Sequence, residues 1–119
     1  MVRLVLAVLL VVVAATIARG QEGFRVTYEV DARSRPDQTR LSGRVVNERN
    51  SDVLDVSVTA EALDARGRVL ARGIAFVDAR IGGGESRPFV AVVPAVPGVA
   101  RYRVRVSSYR TGLTDQQGP

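Results

Sequence analysis

The stretch Val53-Leu54-Asp55-Val56-Ser57-Val58-Thr59-Ala60-Glu61-Ala62-Leu63, followed by Asp64-Ala65-Arg66-Gly67, decides the fold. Leu54, Val56, Val58, Ala60 and Ala62 alternate with Asp55, Ser57, Thr59 and Glu61. Successive side chains of a strand point to opposite faces, so this period of two describes a strand with one apolar and one wet face. Asp64 and Gly67 occupy the first and fourth positions of a type I turn, where each is favoured. The Asp side chain caps backbone amides, and Gly tolerates a positive φ. The spacing therefore predicts a long hairpin between residues 53–63 and 68–78. The returning run, Val69 to Val77, is apolar on both faces apart from Arg72, which predicts a strand covered on both sides.

The same period recurs on either side. Phe24, Val26, Tyr28 and Val30 alternate with Arg25, Thr27, Glu29 and Asp31, and the turn residues Arg33 to Asp37 then break the pattern. Leu41, Gly43 and Val45 share one face of the next strand, with Arg40, Ser42 and Arg44 on the other. Asn47 opens a polar turn to Asp52 and is read as its Asx cap. Gly82 to Glu85, with Gly84 inside it, is a flexible connection. Phe89 to Val93 is a short apolar strand closed by Pro94 and Pro97. In the last strand Ala100, Tyr102, Val104 and Val106 oppose Arg101, Arg103 and Arg105. Residues 110–119 lack an apolar pattern and are read as a flexible tail. Short strands with turn signals between them, and no sustained helical period, indicate an all-β sandwich or barrel. The single inward stripe of nearly every strand favours the sandwich.

Gly43-Arg44-Val45-Val46-Asn47, the strand Val53 to Leu63 and the turn Asp64 to Gly67 are followed in order by Gly84-Glu85-Ser86-Arg87-Pro88-Phe89 and Tyr102-Arg103-Val104. Over residues 24–107 this arrangement resembles the FxLYD-type domains, small immunoglobulin-like sandwiches of exported bacterial and archaeal proteins. Ala62-Leu63-Asp64 stands near the place of the F-x-L-Y-D string, which the chain does not carry literally. The resemblance implies an immunoglobulin-like antiparallel β-sandwich of about six to seven strands. It also implies an extracytoplasmic interaction or accessory module, and no reaction.

Leu4 to Ala18 is an uncharged run behind Arg3, closed by Arg19. A basic start, an apolar core and small residues at Ala18 and Gly20 read as a signal helix cleaved before Gln21. The expected organisation is a signal peptide over 1–20, a domain over 21–109 and the tail. The alternative is a retained single-pass anchor, although the run falls short of the roughly 17 residues a spanning helix needs. Cleavage leaves 99 of the 119 residues, enough for one domain that folds without staples. The formal charge of +5 then falls to about +3, because Arg3 and Arg19 leave with the signal.

The chain has no Cys and no His, which removes cysteine nucleophiles, Ser-His pairs, imidazole ligands and typical structural zinc sites. Ser86, Ser107 and Ser108 therefore lack an imidazole to activate them. The glycines at 82–84 have no Gly-Lys-Ser/Thr behind them and read as a strand connection. Asp31, Asp52, Asp55 and Asp64 lack the short alternating spacing of a calcium loop. No catalytic residue, cofactor or metal is expected. Two binding features remain. Arg40, Arg44, Arg101, Arg103 and Arg105 would form one polyanion-binding patch if their strands were neighbours; otherwise they pair with carboxylates such as Glu29, Asp31, Asp55 or Glu61 across a wet face. Val90 and Val92 point away from Phe89, Ala91 and Val93, so one of the two sets lacks cover in a lone domain unless the opposite sheet, the loop at Pro94 to Gly98 or the tail lies over it.

These features describe an exported, periplasmic or extracellular, non-catalytic binding or assembly module of the bacterial envelope. Its expected partner is another envelope or secreted protein, with no nucleic acid. A membrane-anchored accessory subunit and a polyanion-binding module are the alternatives.

Overall fold

Alternating Val-rich segments form seven strands in the computed structural model, which describes residues 16–18 and 23–112. In chain order they are β1 (Thr16–Ala18), β2 (Phe24–Val30), β3 (Gln38–Asn47), β4 (Val53–Leu63), β5 (Val69–Ile81), β6 (Ser86–Pro94) and β7 (Arg101–Thr111). They make two antiparallel sheets, ordered β1-β2-β3-β6 and β5-β4-β7, so each has three long strands and the first carries the short β1 at its edge. Among the described residues no helix is long and apolar enough to cross a membrane. The run read as a signal helix lies outside the described residues except for Thr16–Ala18, which pair with Val26–Tyr28.

The two sheets meet through their apolar stripes. Phe24, Val26, Tyr28, Leu41, Val45, Phe89, Ala91 and Val93 come from one, and Val56, Val58, Ala60, Ala62, Ile81, Val104 and Val106 from the other. Burying each large aliphatic or aromatic side chain contributes about 1.5–3 kcal/mol. With no disulfide, this stripe-on-stripe packing is the main source of stability. At one end of the core the Phe24 and Tyr109 rings meet edge to face at 5.0 Å, and the Arg49 guanidinium covers the Tyr109 ring.

The hairpin expected from Asp64 to Gly67 joins β4 and β5. Asp64 Oδ1 accepts from the Arg66 and Arg68 amides at 2.9 Å each, and Gly67 has φ 85°. Two expectations are corrected. Leu54 does not continue the inner stripe: Asp55 takes a positive φ of 49° and the register shifts beside it, so Val53 is buried instead and Leu54 is only half-buried. Nor is the returning strand covered. β5 is the edge of its sheet, and Ile74 and Phe76 lie exposed on its outer side. Apolar residues on both faces of a strand do not show whether a partner layer exists.

Where the edges of β5 and β6 approach, a Cβ built on Gly73 would fall on the Val92 carbonyl oxygen. Inside the first sheet, one on Gly43 would fall on the Thr27 carbonyl oxygen. Only glycine fits either close approach.

Candidate functional site

The sandwich presents two outer faces, and each holds a distinct group of side chains. On the β5-β4-β7 face the register places Glu61 directly between Arg72 and Arg103, and Thr59 between Ile74 and Arg105. Glu61 is only 2 % exposed although it points away from the core. Arg103 Nε donates to its Oε1 at 2.9 Å, Arg72 Nη2 donates to Oε2 at 3.3 Å, and Arg105 Nη2 lies 3.7 Å from Oε2. Burial alone would push this carboxyl up. The Arg103 hydrogen bond, the Arg103 and Arg105 charges and the Arg72 hydrogen bond outweigh it and hold the group below its ordinary value. Three guanidinium groups thus converge on one carboxylate, leaving an excess of two positive charges.

On the β2-β3-β6 face, Thr27, Arg44 and Pro88 form one row across the strands, and Glu29, Ser42 and Val90 the next. Arg44 Nε donates to Ser86 Oγ at 3.1 Å, which draws the guanidinium toward the start of β6. Ser42 is too short to fill the space between Glu29 and Val90. These two facts open a hollow of about 400 Å³ bordered by Thr27, Glu29, Ser42, Arg44, Pro88 and Val90. Val90 is 44 % exposed beside it, while Phe89, Ala91 and Val93 are buried. Glu29 makes no ion pair among the described residues.

The five arginines of the stripe do not share a face. Arg40 and Arg44 sit on β3, whose neighbours are β2 and β6, whereas Arg101, Arg103 and Arg105 sit on β7 beside β4. Arg40 lies 3.7 Å from Asp31, and the exposed Arg101 guanidinium lies by the turn at Gly67. The carboxylates considered for calcium are separated as well: Asp31 pairs with Arg33 and Arg40, Asp52 with Arg80, Asp55 with Arg110 and Asp64 with Arg68. Among the described residues no three acidic side chains cluster as metal ligands do.

Asn47 is more than the cap of its turn. Its Oδ1 accepts from the Arg49 amide at 3.0 Å, and its buried Nδ2 donates to the Ser51 and Ile81 carbonyls at 2.9 and 3.0 Å. Gly84, with φ 81°, donates its amide to the Asn47 carbonyl at 2.7 Å. Of the residues around the expected cleavage point, Ala18 ends β1, and Gly20 and Gln21 lie outside the described residues. The sequence does not single out Ile74 and Phe76; their signal is the apolar run of β5, interrupted by Arg72, which does not say which face a second layer covers. No family model matches the chain, and no curated protein matches it.

Proposed function

We propose that this chain is an exported, non-catalytic binding or assembly module of the bacterial envelope, built on an immunoglobulin-like sandwich of the FxLYD type. Its partner is another envelope or secreted protein. The hollow at Val90 carries this reading: a wet β-face ordinarily alternates charged and polar groups, and here it offers an apolar wall and room for one side chain of a partner. The distribution of carboxylates supports it: among the described residues each ion-paired acid is held by arginine, including Asp78 and Glu85 on the shared Arg87, as in a charge-paired surface.

A photo-crosslinking phenylalanine placed at Val90 in the native host tests the contact. One discrete adduct is expected, lost when Ser42→Tyr fills the hollow, with none from the same probe at the exposed turn residue Arg66. No adduct at 90, or equal adducts at 66 and 90, would contradict it.

One observation favours a second reading, an accessory subunit anchored by an uncleaved N-terminus. Thr16–Ala18 pair with β2, and cleavage after Gly20 would remove β1 and leave β2 as the edge of its sheet.

A further inference from the structure

The opposite face, β5-β4-β7, combines two chemistries side by side. Its β5 column runs Leu70, Arg72, Ile74 and Phe76, with Ile74 72 % and Phe76 61 % exposed. Arg103 and Arg105 stand across Glu61 and Thr59, at the other edge. We propose that this face docks on the surface of an anionic phospholipid bilayer, with Leu70, Ile74 and Phe76 entering the headgroup boundary and the arginines taking lipid phosphates.

Charge selects the occupant. Arg72, Arg103 and Arg105 meet a single carboxylate, so the face keeps two uncompensated positive charges, and Arg101 adds another with no ion pair among the described residues. A second copy of the same face would set like charges against one another, whereas an anionic surface complements them. The geometry of the apolar part agrees. Ile74 and Phe76 project from an edge strand at alternate positions, about 7 Å apart along it, as prongs suited to a fluid boundary. Glu61 holds Arg72 and Arg103 in place on the same face, and an Arg fork has donors left over for a phosphate oxygen pair. The inference goes beyond the partner-protein reading and uses the other side of the sandwich, so either can fail alone.

The test is cosedimentation of the full chain with vesicles of phosphatidylcholine alone and with roughly one third phosphatidylglycerol, at fixed ionic strength. Wild type is expected to bind the anionic vesicles at least about tenfold more tightly than the neutral ones, and Ile74→Ser/Phe76→Ser to lose about tenfold on the anionic vesicles. Both side chains are exposed, so the double variant keeps its fold, which circular dichroism checks. The apolar N-terminal run would add the same retention on either vesicle and compress these ratios, so the chain that begins at Gln21 is measured beside the full one. Arg101→Gln/Arg105→Gln is expected to narrow the difference between the two vesicle types while leaving Glu61 its two hydrogen-bonded arginines. Equal binding to both vesicle types would overturn the proposal, as would binding unaffected by the loss of both prongs. Full displacement by soluble glycerophosphate would do the same, because it would make the face a soluble-anion site.

Discussion

Asn47→Ala is expected to lower the unfolding free energy by about 3 kcal/mol. Asn47 is fully buried, and its side chain makes three hydrogen bonds: to the Arg49 amide, the Ser51 carbonyl and the Ile81 carbonyl. Its backbone adds two more, donating to the Glu85 carbonyl at 2.9 Å and accepting from Gly84. One residue thus joins the end of β3, the connection to β4, the end of β5 and the turn into β6. Alanine would leave two carbonyls and one amide without partners, at about 1 kcal/mol each. In a domain of this size the midpoint of thermal unfolding should fall by roughly 15 °C. Asn47→Asp is expected to be no better, since a carboxylate cannot donate to the Ser51 and Ile81 carbonyls. A shift of only a few degrees for both would mean that the node is not tied as described.

Removing the charge of Glu61 is expected to cost about 2 kcal/mol near neutral pH. The figure lies between those of exposed and buried pairs because the carboxylate is buried while Arg72, Arg103 and Arg105 each keep much of their surface in water. The arginines hold the folded-state pKa below the unfolded value near 4.5. A depressed acid contributes stability that is fully present above the unfolded value and is lost as pH falls through the folded one. Denaturant unfolding of wild type and Glu61→Gln should therefore differ most near neutrality and converge in acid. A difference that persists unchanged well below about pH 4 would assign the loss to shape and not to charge.

Much of this fold is legible in the sequence, and the gaps have physical causes. The inner stripes of β2, β3 and β7 follow from period-two alternation, and the β4-β5 hairpin from Asp64 and Gly67. Alternation assigns a residue to a face but says nothing about which strands adjoin. For that reason the arginines of β3 and β7 could be imagined as one patch when they lie in different sheets. The bulge at Asp55 was invisible because the left-handed residue there is not glycine. Glu61 was one of several charged residues on wet faces; only the register that sets it between Arg72 and Arg103 distinguishes it. The apolar run of β5 predicts a covered strand, whereas Ile74 and Phe76 face outward from a sheet edge. Val90 was legible as one of two competing sets, and burial of Phe89, Ala91 and Val93 decides between them.

The two proposals use opposite faces: the hollow beside Val90 would receive a protein side chain, and the face centred on Glu61 would meet an anionic lipid surface. Together they would describe a module that brings an envelope partner to a membrane.

Both proposals require export, which the intact mass of the chain in soluble exported and membrane fractions of a bacterial host decides. The expected mass corresponds to a chain that begins at Gln21, in the exported fraction or held on membranes only as salt-sensitive peripheral material. A full-length chain resistant to salt extraction, with Thr16–Ala18 retained beside β2, would contradict it and make the N-terminal run an anchor.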